Sequence, residues 1–550
     1  MSLHAQIFYL IPEHTVEVAR AAFPKGNPYM RMRDELGPIY TNPEFAQLFP
    51  KDGQPAQAPA HLALVSVMQF AEGLSDQQTA DAVRARIDWK YALALELTDP
   101  GFDSSVLCEF RQRLISGQAE LLLFETMLTL FRAQGLIKAK GRQRTDSTHV
   151  LAAIQTLNRL ECVGETLRHA LNTLASVAPE WLQSWVPATW FDRDRRPFAE
   201  YRLPAEKPAR YALAEQIGAD GRQLLQRIDD PASPTWLQQA PAVQILRQVW
   251  VQQFYAVTDD QPMRWRTAAD LPPAALLISS PYDPEARYSK KRETAWTGYK
   301  VHLTETCDDD RPNLITNVET TVATTPDHAM TGVIEEHLAA RDLLPAEHSV
   351  DAGYVTADQL VASQRQQVDL VGPTAPEPGW QAKAGEGFAA SCFVIDWEAQ
   401  TATCPQGKTS GIWQPTTNTY GQAMVNIRFA AADCRDCPVR AQCVSSTRAR
   451  SLTIRAHDQY VALQAARQRQ ITDEFKAKYA TRAGIEGTIS QGTRTSDLRR
   501  SRYIGEAKTR LLDLLIAAAL NFMRVAAWLA EIPRSRTRRS AFAALAPTSA

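Results

Sequence analysis

Up to about residue 140, apolar residues recur at helical spacing. The stretch LALVSVMQFAEGLSDQQTADAVRARIDWKYALALEL reads as helices interrupted at Gly73-Leu74-Ser75, where Ser75 or Asp76 caps a new helix. A second cap cluster, Asp103-Ser104-Ser105, precedes VLCEFRQRL. Short helices with tight turns suit a helix-turn-helix-like DNA module and a plain helical bundle equally well. A strand-like piece, RQRTDSTHVLA, comes next, followed by a long helical, Pro- and Trp-bearing region to about residue 275. The period then changes to two. In TGYKVHLTETC, Tyr299, Val301 and Leu303 face one way and Lys300, His302 and Thr304 the other. After the polar turn DDDRPN, LITNVETTVATT alternates again, which predicts an antiparallel hairpin with one buried face. MTGVIEEHLAARDLL reads as a helix, HSVDAGYV as a strand, ADQLVASQRQQ as a helix capped by Thr356, and VDLVGP as a last short strand. Strands and helices in this order imply a mixed α/β sheet. Residues 385 to 450 have four cysteines and few long apolar runs, and helices resume near 457 and continue to about 530.

Composition narrows the class without deciding it. A chain of 550 residues with 45% hydrophobic residues suggests a soluble protein of two to four domains, and a net charge of −1 rules out a global cationic field. Any polyanion site must come from local clusters. The segment MSLHAQIFYLIPEHTVEVAR has no basic start followed by an apolar core, so no signal peptide is expected. The stretch Leu511 to Ala530 is long enough to span a membrane, but it contains Asp513, Asn521 and Arg524 and reads as a buried amphipathic helix. Eight unevenly spaced cysteines without an export signal fit a reducing cytoplasm.

Three acids stand out. Asp146 lies in QRTDSTHV and Asp351 in HSVDAGYV, each alone in a strand-like segment. Glu486 is the only carboxylate between Glu474 and Asp497, flanked by Lys476, Lys478 and Arg482 before it and Arg494, Arg499 and Arg500 after it. A lone Asp is usually a turn or cap residue, and Arg482–Glu486 alone would be an ordinary helix ion pair of about 0.3–0.5 kcal/mol. Three carboxylates converging at a sheet edge would instead suit magnesium or manganese, which prefer hard oxygen ligands. Two such ions, about 3.5–4 Å apart, activate a water or 3′-hydroxyl and stabilise the leaving oxygen in phosphodiester chemistry.

The spacing Tyr479, two residues, Arg482, three residues, Glu486 resembles the signature of bacterial insertion-sequence DDE transposases of the IS-four type. PEARYSKKRETAWTGYKVHLTETCD is similar to the second-strand region of the insertion-sequence eleven-eighty-two group, and RTDSTHVLA and SVDAGYVTADQL resemble its two Asp motifs. The resemblance covers nearly the whole chain. It implies a ribonuclease H-like fold with Asp146 as first-strand ligand, Asp351 as fourth-strand ligand and Glu486 as helix ligand of two magnesium (or manganese) ions. It implies a transposase that cuts element ends and joins them to target DNA, working in the cytoplasm at the nucleoid, with no membrane partner and as a homodimer when two ends are synapsed. The family signature continues to a basic residue seven places after the Glu. Here that place is Thr493, and Arg494 follows. Readings from other classes are a domesticated DNA-binding regulator that does not cut and a metal-dependent nuclease without strand transfer.

At helical spacing Tyr479, Arg482 and Glu486 fall on one face, with Arg482 suited to a phosphate and Tyr479 to the strand beside the scissile bond. The basic runs ARYSKKRE, with Lys290, Lys291 and Arg292, and RTSDLRRSRYIGEAKTR, with Arg494, suit the DNA backbone. Such contacts give affinity and register, so sequence choice is expected from residues 60–120. Cys404, Cys434, Cys437 and Cys443 have the two-residue gap of a metal knuckle and suit a structural zinc, with an iron–sulfur cluster as the alternative. Cys108, Cys162, Cys307 and Cys392 lack such spacing, and His149 and His302 are not read as ligands. The expected organisation is a helical N-terminal domain (1–140), a catalytic core (141–384, with a helical insert at about 151–280), a cysteine-rich metal-binding insert (385–455), the Glu-bearing and C-terminal helices of the core (456–530) and a flexible basic tail (531–550).

Overall fold

The computed structural model describes residues 2–3, 10–200, 202–255, 261–534, 542 and 545, so the expected basic tail lies largely outside the described residues. Its centre is a six-stranded mixed sheet built from Arg142–Leu151 (β1), Arg287–Lys291 (β2), Thr294–Thr306 (β3), Ile315–Val322 (β4), Glu347–Val350 (β5) and Asp369–Val371 (β6). The hydrogen-bonded order is β2-β3-β1-β5-β6, with β4 also on β3. β3 runs antiparallel to β1, β2 and β4, whereas β5 lies parallel to β1 and β6 parallel to β5. The alternating segments do form the β3–β4 hairpin, but not with one buried face: Lys300, His302 and Thr304 are buried as well as Tyr299, Val301 and Leu303, because the sheet is covered on both sides. The parallel strands are reached through the helices Met330–Ala340 and Ala357–Arg365, as a parallel connection requires. Thr356 caps the second of these by accepting the Gln359 N–H.

Apart from a small cluster of Ala19, Met30 and Tyr91, the N-terminal helices do not have a core to themselves. Tyr29, Phe70, Trp89 and Phe124 from them share one apolar cluster with Val150, Tyr299, Val301 and Leu303 of the sheet and with the helix Glu506–Leu529. Ser75 closes a capping box with Gln78 at the start of the helix Asp76–Ala85, and the preceding helix, Pro59–Glu72, is buried along nearly its whole length. The helix Glu506–Leu529 is the one described helix long and apolar enough to cross a membrane, and 78% of its most apolar window is buried inside the protein. Its polar residues explain why. The Asn521 side chain accepts from Ile315 N (2.7 Å) and donates to Ile315 O (2.8 Å), Asp513 accepts from the Thr320 hydroxyl (2.6 Å), and Arg524 donates to Glu305 (2.8 Å). Each interruption of the apolar run ties the helix to β3 or β4, because a buried polar group without a partner costs about 1–3 kcal/mol.

Two further cores lie beside this one. The helices Arg159–Val177, Lys207–Asp229 and Pro241–Gln253 pack around Leu167, Ile217, Leu246 and Val249. In the cysteine-rich segment a three-stranded sheet (412–417, 423–428, 451–455) buries Val425, Ile427, Leu452 and Ile454 against Phe393 and Phe429.

Candidate active site

Asp146 lies within β1, and Asp351 follows the last residue of β5. The parallel register pairs Thr145 with Val350, so the two aspartates occupy the next level on neighbouring strands. Each accepts a backbone N–H from the following residue, Ser147 at 2.7 Å and Ala352 at 2.8 Å. Glu486 comes from the helix Gly484–Ser496, whose buried face is Ile485, Thr488, Ile489, Gly492 and Ser496. That face spans the helical repeat and fixes the rotation of the helix. Glu486 stands beside it with 64% of its side chain exposed, facing the cleft.

Tyr479, Arg482 and Glu486 are not carried by one helix, contrary to the i, i+3, i+7 expectation. The helix Asp473–Ala480 ends, a 3₁₀ turn spans Thr481–Ala483, and a new helix begins at Gly484. The cause is Arg144 of β1. Its guanidinium packs against Gly484 so closely that a Cβ there would come within 2.1 Å, and it donates to the Thr481 carbonyl at 2.5 Å. The three side chains still converge. The Arg482 guanidinium lies 5.7 Å from the centre of the Tyr479 ring and donates to Asp146 Oδ2 at 2.9 Å and to Glu486 Oε1 at 3.0 Å.

Burial raises the pKa of the Asp146 carboxyl, and nearby Asp351 adds to this. The Ser147 N–H and Arg482 oppose the shift without cancelling it. Burial also works against the Arg482 charge, but its bond to Asp146 outweighs that and holds its pKa above the ordinary value. Burial raises the Tyr479 hydroxyl as well, with Arg482 opposing and Asp351 assisting.

Asp146, Ser147, Glu486, Ser490, Arg494 and Arg499 are among the residues lining a cleft of about 390 Å³. Arg494 therefore reaches this cleft from the position after the expected one. Thr493, which also lines it, turns its hydroxyl back to the Ile489 carbonyl (2.8 Å). Lys290, Lys291 and Arg292 form the exposed tip of the β2–β3 hairpin, and Lys291 lies 3.6 Å from Asp327, which accepts from the Ser147 hydroxyl at 3.1 Å.

The comparisons with known proteins bear on this arrangement. A family model described as "Transposase DDE domain" matches residues 403–526, and one described as "Transposase domain (DUF772)" matches residues 17–113. Together they indicate a transposase of the DDE family. No curated protein and no solved structure matches the chain. The first match spans Glu486 but neither aspartate; Asp146 and Asp351 are brought near it by the strand register and by the Arg482 bond to Asp146. The transposase substrate is DNA, and enzymes of this family typically use a divalent metal.

The three carboxylates have the donor chemistry for such an ion, and a cation, the Arg482 guanidinium, already bridges two of them. Among the described residues no group of three or more His, Cys, Asp or Glu side chains is arranged to hold a metal ion. The same finding applies to the cysteines and leaves the expected zinc or iron–sulfur site without a coordination geometry. Cys404, Cys434, Cys437 and Cys443 nevertheless all line one small pocket of about 30 Å³. His302 is buried in a hydrogen bond to the Tyr354 hydroxyl (2.6 Å), and His149 lies beside Trp296.

The sequence reading missed the group that holds the Glu486 helix in place. Glu305 of β3, fully buried, accepts from Arg144 at 2.6 Å, from the Thr488 hydroxyl at 2.6 Å and from Arg524 at 2.8 Å. The signal was present in RQRTDST, where a basic residue sits two places before the aspartate on the same strand, but its partners lie far away along the chain.

Proposed function

We propose that the protein is a DNA transposase of the IS-four type, insertion-sequence eleven-eighty-two group, that cuts DNA at element ends and joins the freed 3′ ends to target DNA. The observation that carries this reading is the matched register of Asp146 and Asp351 on parallel neighbours, with Glu486 tied to the first of them through Arg482. The sheet order β4-β3-β1-β5-β6, antiparallel on one side of β1 and parallel on the other, supports a ribonuclease H-like core. Asp146, Asp351 and Glu486 would hold magnesium or manganese, which when bound supplies positive charge for the attacking and leaving oxygens. Arg482, Arg494 and the hairpin residues Lys290, Lys291 and Arg292 would hold the phosphate backbone, and Tyr479 would pack against the strand beside the cut. Joining two ends calls for a dimer on DNA, and chromosomal DNA as substrate keeps the protein in the cytoplasm at the nucleoid.

Glu486→Gln keeps the size of the side chain and removes its charge. With labelled end DNA it is expected to abolish both cleavage and joining while leaving end binding largely intact. Near-normal cleavage would refute the assignment. Cleavage without joining by the unaltered protein would make it a nuclease, and binding without cleavage would make it a regulator.

In the cysteine-rich insert we read Cys404, Cys434, Cys437 and Cys443 as a structural zinc site. Support comes from their shared pocket and from the Lys408 N–H that donates to Cys404 Sγ at 3.3 Å. Metal analysis should find zinc in the purified protein and less of it in Cys437→Ser. Equal zinc in both would remove the assignment.

A further inference from the structure

Arg482 does more than an ordinary helix ion pair requires. Its contact with Glu486, four residues on and across the break between the 3₁₀ turn and the next helix, is by itself worth little. The other arm of the same guanidinium reaches Asp146, 336 residues earlier in the chain, whose side chain is 16% exposed. Arg482 is itself only 13% exposed and lies against the Tyr479 ring. A partly buried arginine held at 2.9 and 3.0 Å between Asp146 and Glu486 occupies carboxylate oxygens that a bound divalent cation would also need. Arg494 and Arg499 line the same cleft, but neither bonds Asp146 or Glu486, so Arg482 is the cation in contact with these two acids.

We propose that Arg482 is the resident cation of the carboxylate site: it holds Asp146 and Glu486 until a divalent metal replaces it, which frees the guanidinium for a DNA phosphate. This rests on the transposase reading and adds its regulation. The metal and the arginine compete for the same oxygens, so metal loading and release of Arg482 are one event. The consequence is a site that loads poorly without DNA, because the displaced guanidinium then loses its charge partners. When a phosphate is present it accepts the guanidinium, and metal and DNA favour each other's binding. An arginine serving only as a phosphate contact would have no effect on metal affinity in the absence of DNA.

The test is Mn²⁺ binding to the full-length, DNA-free protein, followed by the electron paramagnetic resonance signal of free Mn²⁺. Unaltered protein, Arg482→Gln and Asp146→Asn are compared. Arg482→Gln is expected to bind Mn²⁺ roughly tenfold or more tightly than the unaltered protein, since one positive charge within hydrogen-bond distance of two ligands has been removed. Asp146→Asn is expected to lose that binding. Arg482→Lys keeps the charge but cannot bridge both acids, and should fall between the two. It carries the comparison if Arg482→Gln does not fold. Unchanged or weaker binding by the Arg482 variants, with binding still dependent on Asp146, overturns the resident-cation proposal and leaves the transposase reading standing. Mn²⁺ binding that is indifferent to Asp146 overturns both.

Discussion

Glu305→Gln tests whether the buried charge cluster behind the site holds the Glu486 helix to the sheet. Glu305 Oε1 takes two bonds from Arg144 (2.8 and 2.6 Å), and Oε2 takes the Thr488 hydroxyl (2.6 Å) and Arg524 (2.8 Å). The carboxylate is fully buried, and the arginine side chains are 8% and 17% exposed. Glutamine keeps the shape and one acceptor oxygen but turns an N–H₂ group toward donors and leaves two guanidiniums without a buried counter-charge. Removing one partner of a buried pair costs about 3–5 kcal/mol. Arg524 keeps Gln491 and the Asn313 carbonyl, and Arg144 keeps the Thr481 carbonyl, so the low end of that range applies, about 3 kcal/mol. At about 2–4 °C per kcal/mol for a domain of 150–250 residues, the melting temperature should fall by roughly 6–12 °C. Urea unfolding followed by tryptophan fluorescence measures the loss, and amide exchange should rise at Thr488 and Ile489, on the face of the Glu486 helix that meets the sheet. A loss below about 1 kcal/mol, the range of an exposed pair, would mean that the cluster is not what fixes the helix.

Two other outcomes follow from particular side chains. Asp513 is buried with Oδ1 unpartnered, and burial pushes its pKa from 3.8 up to about 8 against the opposing bond from Thr320. The folded protein keeps it protonated up to that pH while the unfolded chain ionises it near 4, so stability is fully present below about pH 4 and is lost as pH rises toward about 8. Asp513→Asn should flatten that slope in urea titrations between these pH values, and an unchanged slope would show that Asp513 does not titrate there. Arg494→Ala should weaken binding of end DNA at every sequence tested and reduce the salt slope by about one, as loss of one phosphate contact does. A salt slope equal to that of the unaltered protein would remove Arg494 from the DNA contacts.

What could be read from the sequence was what a local period carries. The β3–β4 hairpin showed as alternation of apolar and polar residues around the polar turn DDDRPN, although β3 is buried on both faces from Trp296 to Thr306, so the alternation reported the strand but not its burial. β2 left no such trace, since its residues Arg287–Lys291 bury neither face and read only as a basic run. The shared core of the N-terminal helices and the sheet was also hidden, because contacts such as Tyr29 with Phe522 join segments nearly 500 residues apart by numbering. Glu305 and Arg144 looked like ordinary polar positions of half-exposed strands, and only their pairing across β1 and β3 shows them to be buried. The break between Ala480 and Gly484 depends on that same arginine, so the idealised single helix carrying Tyr479, Arg482 and Glu486 was wrong for a reason located on another strand.

The isolation of Glu486 among bases can be resolved base by base for five of the six, Arg500 being exposed on the surface. Lys476 pairs with Asp473 at 2.9 Å, and Lys478 lies 3.3 Å from Glu474 and 3.8 Å from Glu347, so these two are neutralised by acids outside the cleft. Arg482 is taken by Asp146 and Glu486. Arg494 and Arg499 line the cleft, and the bonds they make, to the Ser490 carbonyl and the Thr148 hydroxyl, leave their charges without an acidic partner among the described residues. The cationic stretch therefore divides into lysines that fix the helix before the turn, one arginine that occupies the acids, and two arginines with charge left over for an anion. A second carboxylate on the Glu486 helix would cancel one of those two and repel phosphate. A single acid beside Asp146 and Asp351 concentrates negative charge at one point and leaves the rest of the cleft positive, the arrangement that the proposed binding of both a metal and a nucleic acid would require.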